Sequence, residues 1–99
     1  MNAASKDWPF KDPTNVAVFS IRQIVFDRQP ILHVTYDGDD GSWQFLGKET
    51  PSASDAVIVS FEEIAELDPS VKELSDLPDG WEAWRSDKSG KWEMNQKPV

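Results

Sequence analysis

The sequence contains no cysteine and only one histidine, His33. The lack of cysteine excludes disulfides, thiolate metal ligands and a cysteine nucleophile. A single histidine excludes metal sites that are built from several imidazoles. Basic residues are also few: ten Lys and Arg stand against 18 Asp and Glu, and the formal net charge is −8. Nucleic acids and anionic membranes bind positively charged surfaces, so neither is expected as a partner.

Long apolar runs are lacking as well. The longest apolar-rich stretches reach five or six residues, whereas a membrane-spanning helix needs about 20. The first ten residues do not show the basic stretch followed by an apolar run that marks a secretory signal. We therefore expect a cytoplasmic protein. No glycine-rich phosphate loop is present, because Gly38 and Gly41 are not followed by a lysine and a helix, and no cofactor is expected.

Aromatic residues, in contrast, are abundant. Five Trp and five Phe in 99 residues are not typical of a disordered chain, and the length suits one domain. Residues 1–15 contain two prolines and predict an irregular N-terminal arm whose Trp8 and Phe10 dock on the rest. Residues 16–99 are predicted to form a single domain.

Short apolar or alternating segments predict the strands. A strand is expected at 16–19, with a bend and a further short strand at 21–26. The segments 31–36 and 42–46 alternate in polarity and flank the turn residues 37–41, which predicts a hairpin. The fully apolar segment 56–59 predicts another strand, in the centre of the sheet.

Two helices and a second hairpin follow. Ser60 and Glu63 form a capping box that begins one helix, and Asp68 followed by Pro69 begins another. Segments 81–85 and 91–94 predict a hairpin with Trp84 and Trp92 paired across it. The whole pattern predicts an α+β domain whose antiparallel sheet has about five strands, with two short consecutive helices between the third strand and the C-terminal hairpin.

The acidic residues are concentrated in the middle of the chain. Residues 37–79 contain twelve acidic residues and only Lys48 and Lys72, a net charge of −10, while each flanking segment carries +1. One interpretation is a solvated face that aids solubility. The other is a surface that attracts a basic protein. The candidate interface residues are Asp39, Asp40, Glu49, Glu62, Glu66 and Glu73, with Trp81 or Trp84 as an aromatic anchor.

Neither a metal site nor catalysis is predicted. The segment 37–41 resembles a calcium loop, but Gly41 occupies a ligand position and Lys48 stands where a glutamate is required. We interpret it as a hairpin turn, with a weak cation site left open. His33 is interpreted as a strand residue paired with a neighbour, because no nucleophile motif accompanies it. An enzyme that uses His33 and carboxylates is the least favoured alternative.

Three motifs, in order, resemble a known family. They are the segment 40–49 (DGSWQFLGKE), the segment 68–70 (DPS), and Pro78-x-Gly80-x-x-Ala83-x-Arg85. Together they resemble a small bacterial domain family of unknown function that is grouped with the immunity proteins of polymorphic toxin systems.

The resemblance implies a binding protein without chemistry of its own. Immunity proteins neutralise a cognate toxin by binding it, and an acidic protein can occupy the basic cleft of a toxin domain. We therefore expect a non-enzymatic domain, monomeric or weakly homodimeric, that binds a basic toxin domain. A small stand-alone adaptor or regulatory domain with no toxin partner is the alternative.

Overall fold

The computed structural model describes residues 8–39, 41–49 and 51–97. Within these ranges the strands are β1 (Ala17–Ile21), β2 (His33–Asp37), β3 (Ser42–Leu46), β4 (Ala56–Ser60), β5 (Trp81–Trp84) and β6 (Glu93–Gln96). The helical segments are α1 (Arg22–Val25), a 3₁₀ turn (Ala53–Asp55), α2 (Phe61–Leu67) and a 3₁₀ helix (Pro69–Leu74).

The described strands form one mixed sheet in the order β4-β1-β3-β2-β5-β6. β1 and β3 are parallel, and every other neighbouring pair is antiparallel. The α+β class is therefore confirmed, and so are the consecutive α2 and 3₁₀ helix before the C-terminal hairpin. The prediction of about five antiparallel strands is only roughly right. The described sheet has six strands and one parallel pair, and residues 22–25 form α1 instead of continuing as a strand.

β4 lies at an edge of the sheet and not at its centre, so that part of the prediction is wrong. Its only described neighbour is β1. Val57 and Val59 are half-buried, whereas Ile58 between them is 64% exposed. A continuous apolar run suits a strand buried on both faces, but it does not exclude an edge strand with one face covered.

The two faces of the sheet differ sharply. On one face, which we call the core face, α2 and the 3₁₀ helix cover buried residues of the central strands such as Val34 and Phe45. On the other, which we call the open face, one row of register partners crosses the whole sheet. It consists of Ile58, Phe19, Gln44, Thr35, Glu82 and Asn95. No helix among the described residues packs over this row's exposed apolar members, Phe19 and Ile58.

The described part of the N-terminal arm, residues 8–15, packs on the core face. Phe10 is buried, and its ring centroid lies 4.3 Å from that of Phe61 and 5.4 Å from that of Trp43. Trp8 meets Phe61 edge-on at 5.1 Å. The predicted docking of the two aromatic residues is confirmed, and they extend the core beyond what the sheet and helices supply.

Both helix starts carry the predicted N-cap residue, and of the two bonds of the capping box the one to the Ser60 hydroxyl is formed. The Ser60 hydroxyl accepts a hydrogen bond from the Glu63 amide at 3.1 Å. Asp68 Oδ1 accepts one from the Ser70 amide at 3.0 Å, and Pro69 stands at the first helical position. Each cap satisfies an amide that the first helical turn leaves without a partner.

The predicted cross-strand pair of Trp84 and Trp92 is not formed. Trp84 pairs in register with Glu93 and stacks on His33, with ring centroids 3.6 Å apart and planes inclined by 8°. Trp92 instead lies 4.1 Å from the guanidinium carbon of Arg85. The sequence pattern predicted that both indoles lie within the strands of one hairpin. Trp92 lies just before β6 begins at Glu93, so it has no place in the strand pairing.

Candidate protein-binding surface

The predicted acidic residues of the β2–β3 hairpin lie at opposite ends of the sheet. Asp39 is exposed in the turn before β3, and Glu49 is exposed beyond the end of β3. A strand of five residues spans roughly 17 Å. Asp40 lies outside the described residues. The structure therefore does not bring Asp39 and Glu49 into one patch.

The helical candidates lie together on the side of the core face. Glu62 and Glu66 stand one turn apart on α2, and Glu73 lies on the 3₁₀ helix that packs beside it. Glu66 and Glu73 are exposed, and Glu62 is half-buried. These three carboxylates form the most coherent part of the predicted surface, which we call the helical acidic side.

The two candidate tryptophans face opposite sides of β5. They are three residues apart on a strand, where side chains alternate between faces. Trp81 is half-buried and packs against the core cluster. Trp84 is 39% exposed on the open face. Only Trp81 lies on the same side of the sheet as the helical acidic side.

The ion pairs within the fold are formed by carboxylates that are not among the candidate interface residues. Asp55 pairs with Arg22 at 3.2 Å, Glu82 contacts His33 at 2.8 Å, and Asp68 contacts Arg85. Among the residues that the structure describes, the candidates Asp39, Glu49, Glu62, Glu66 and Glu73 take part in none of these ion pairs. Their negative charges are therefore not offset by an ion pair within the fold and are available to attract a positively charged partner.

A cleft that the sequence did not reveal adds further negative charge. It has a volume of about 320 Å³ and lies between the arm and the loop that follows the 3₁₀ helix. We call it the acidic cleft, because its lining holds Asp12, Asp76 and Asp79 against one lysine, Lys11, beside the rings of Tyr36 and Trp43. Asp12 Oδ1 accepts a hydrogen bond from the Trp43 indole at 3.3 Å.

The carboxylates of the acidic cleft act on the one tyrosine of the chain. Burial raises the pKa of Tyr36, and the negative charges of Asp12 and Asp79 raise that pKa further. Tyr36 also stacks on Trp43, with ring centroids 4.4 Å apart. Aromatic faces next to carboxylates suit the stem and charged end of a lysine or arginine side chain.

No sequence signal pointed to the acidic cleft. Asp12 comes from the arm, Tyr36 from β2, and Asp79 from the loop before β5. Asp79 is held in place because its Oδ1 accepts a hydrogen bond from the Gly38 amide. That long-range contact joins the hairpin turn to the loop before β5, and no residue spacing predicts it.

Glu49 belongs to a different cleft. This second cleft has a volume of about 570 Å³ and is bounded by α1 and the loop after β3. Glu49 lines it next to Lys48, and Asp55, also in its lining, is already paired with Arg22. The hydrogen bond that Asp55 receives from Gln23, the bonds from Ser52 and the charge of Arg22 together lower the pKa of that carboxyl. The linings of the two clefts each hold three carboxylates and one lysine; they differ in that Asp55 of this second cleft is also paired with Arg22.

The turn between β2 and β3 uses its aspartates for backbone hydrogen bonds. Asp37 Oδ1 accepts a bond from the Asp39 amide at 3.1 Å, and Gly41 adopts a φ of 70°. In the described ranges, no group of three or more His, Cys, Asp or Glu is placed to hold a metal ion.

On the open face, His33 contacts Glu82 and Trp84. Its Nε2 lies 2.8 Å from Glu82 Oε1, and its ring stacks on Trp84. The interpretation of His33 as a strand residue paired with a neighbour is confirmed. His33 lines neither of the two clefts described above.

Comparison with known proteins gives no match: no family model, no curated protein and no solved structure matches the chain. None of the helices in the described ranges is long and apolar enough to span a membrane.

Proposed function

We propose that this protein is a non-enzymatic, cytoplasmic protein-binding domain that attracts and holds a basic protein partner. The observation that supports the proposal is the contrast between paired and unpaired carboxylates. Asp55, Asp68 and Glu82 are used within the fold. The carboxylates of the helical acidic side are in no ion pair that the described residues form.

The binding surface that we propose consists of the helical acidic side and the acidic cleft. Both lie on the side of the sheet that α2 and the 3₁₀ helix cover. The helical carboxylates accelerate encounter with a positively charged partner through long-range attraction. The acidic cleft then receives one lysine or arginine side chain between Tyr36 and the aspartates.

The family resemblance of the motifs in 40–85 suggests the class of partner. We propose that the partner is a toxin domain and that binding neutralises it, as immunity proteins do. The genes of toxins and their immunity proteins are normally adjacent, so the protein encoded by the neighbouring gene is the probe to use.

The test measures association with the product of the neighbouring gene at low and at high salt. The test variant carries E62Q, E66Q and E73Q, which remove three charges from the helical acidic side. The matched control carries D27N, D87N and E93Q, which remove three exposed charges outside residues 37–79. We expect the association rate to fall about tenfold in the test variant and by less than about twofold in the control.

A D76N variant tests the acidic cleft separately, and we expect it to speed dissociation. Growth of cells that express the neighbouring protein, with and without this chain, shows whether binding neutralises a toxin. The proposal fails if the two proteins do not associate, or if the test and control variants slow association equally. Association without rescue of growth would support an adaptor instead of an immunity protein.

A further inference from the structure

The outer edge of β4 presents unpaired backbone groups. β4 pairs with β1 in the antiparallel register that aligns Val18 with Val59 and Phe19 with Ile58. The Phe61 amide donates to the Val16 carbonyl at 2.9 Å, and hydrogen-bonded pairs alternate along an antiparallel ladder. The amide and carbonyl of Ile58 therefore point away from β1. No described strand lies beyond β4 to receive them.

The two edges of the described sheet are protected differently. β6, at the far edge, begins with Glu93 and is followed by Lys97. β4 has the sequence AVIVS, with neither a charge nor a proline. Charged side chains and proline are the common means by which edge strands avoid pairing with another chain. β4 uses neither of them.

Exposed apolar side chains lie directly at this edge. Ile58 is 64% exposed and Phe19, its register partner, is 40% exposed, both on the open face. If two β4 strands pair with Ile58 at the centre, Ile58 of one copy meets Ile58 of the other. Phe19 flanks this contact on each side, so four exposed apolar side chains form one continuous row.

The charges at the ends of β4 select an antiparallel arrangement. Arg22 and its partner Asp55 lie at the Ala56 end of the strand, and Arg22 has a side chain that is 64% exposed. Glu62 and Glu63 follow the Ser60 end. Antiparallel pairing brings the Arg22–Asp55 pair of each copy, whose charges offset each other, toward these two glutamates of the other copy, whereas parallel pairing would place the glutamates of the two copies next to each other.

We propose that β4 pairs with β4 of a second copy of this chain across a two-fold axis at Ile58, so that two molecules share one continuous sheet. The pairing strand has only five residues and spans roughly 17 Å, which places the dimer in the weak class. Each molecule also carries a net charge of −8. Salt screens that repulsion, so it strengthens the dimer.

The test is the molar mass of the full chain in solution, measured by sedimentation equilibrium from micromolar to millimolar concentration. We expect the mass to rise from monomer to dimer, at lower concentration when salt is high. I58K places a charge on the edge and weakens dimerisation at least tenfold. Q44K is the matched control, because it adds the same charge at an exposed position of the open face on the central strand β3.

Amide hydrogen exchange identifies the edge itself. At millimolar concentration the Ile58 amide exchanges more slowly than at micromolar concentration, because it becomes bonded to the second copy. The Val59 amide, which faces β1, exchanges at the same rate in both. A dimer that forms through another surface would leave the Ile58 amide unchanged and would overturn the proposal.

Three other results would also overturn the proposal: a monomer at every concentration, equal dimerisation of I58K and Q44K, and unlimited growth of the mass, which indicates pairing of β4 with β6. The proposal does not rest on the binding of a basic partner, although Glu62 belongs to both surfaces. That binding weakens with salt, whereas self-association strengthens, so the failure of one does not imply the failure of the other.

Discussion

At the scale of single residues, Arg85 connects the largest number of separate segments. Its Nε donates to the Ile31 carbonyl at 2.9 Å, and Nη1 donates to the Ser70 hydroxyl at 2.8 Å and the Lys88 carbonyl at 2.9 Å. Nη2 contacts Asp68. The Arg85 side chain is 1% exposed, so this buried network ties the end of β5 to the 3₁₀ helix.

Replacing Arg85 with methionine is expected to destabilise the fold strongly. The Asp68 carboxylate would remain buried without its cation, which costs about 3–5 kcal/mol. Urea unfolding followed by tryptophan fluorescence measures the change. R22M is the control, because the Arg22–Asp55 pair has an exposed arginine, and such pairs contribute less than about 1 kcal/mol. Equal losses in both variants would contradict this account of Arg85.

Tyr36 offers a direct reading of the acidic cleft, because it is the one tyrosine of the chain. Burial and the charges of Asp12 and Asp79 raise its pKa. An ordinary tyrosine ionises with a midpoint of about pH 10, so the tyrosinate absorbance of Tyr36 is expected to appear with a midpoint above that value. The folded state holds this proton more tightly than the unfolded state. Its contribution to stability is therefore present below about pH 10 and is lost as the pH rises through the folded pKa.

D79N removes one of the carboxylates that act on Tyr36, and asparagine keeps an oxygen for the Gly38 amide. We expect the pKa of Tyr36 to move down toward its ordinary value in D79N. D87N, which alters a different turn, is expected to leave that pKa unchanged. A wild-type midpoint at or below the ordinary value would contradict the geometry of the acidic cleft.

At the scale of elements, the described arm is a part of the core and not an appendage. Phe10 is buried against Phe61 and Trp43, and the backbone of the arm continues the contact, because the Glu62 amide donates to the Thr14 carbonyl at 2.9 Å. Thr14 belongs to the arm, so the arm fixes the start of α2 as well as covering aromatic surface.

F10A is expected to lower the free energy of unfolding by about 3 kcal/mol, since truncation of a buried phenylalanine costs about 3–5 kcal/mol and an end of the chain relaxes more easily. Denaturant unfolding measures it. K11A alters the exposed neighbouring residue and is expected to change stability by less than about 0.5 kcal/mol. A loss in F10A no larger than that in K11A would show that the arm does not pack in solution.

Elements with a local signal were predictable from the sequence, and those set by long-range pairing were not. Alternating polarity gave β3 its observed bounds, and the capping residues gave the starts of both later helices. The edge position of β4 depends on which strand lies beside it, and its apolar run contains no such information. Likewise, the segment 21–26 is short, with four apolar residues out of six, and such a segment fits a strand or a helix equally well.

At the scale of the whole molecule, the sequence showed how much negative charge the middle of the chain carries but not where that charge lies. Folding places Asp39 and Glu49 at opposite ends of the sheet and uses Asp55 and Asp68 in ion pairs. It also draws in Asp12 from the arm to complete the acidic cleft. The two proposed interfaces adjoin at Glu62, which belongs to the helical acidic side and also follows the Ser60 end of β4.

The position of β1 between β3 and β4 has a consequence for how the chain reaches its fold. β1 is the first strand in the sequence, yet its two neighbours in the sheet are made later, and Ala17 finds its partner only at Ser60. Contacts between such distant residues slow folding, because a long loop must close before they form. During synthesis the β2–β3 hairpin can form while β1 has no edge to join on its far side. The chain up to Ser60 has to leave the ribosome before β1 is paired on both sides.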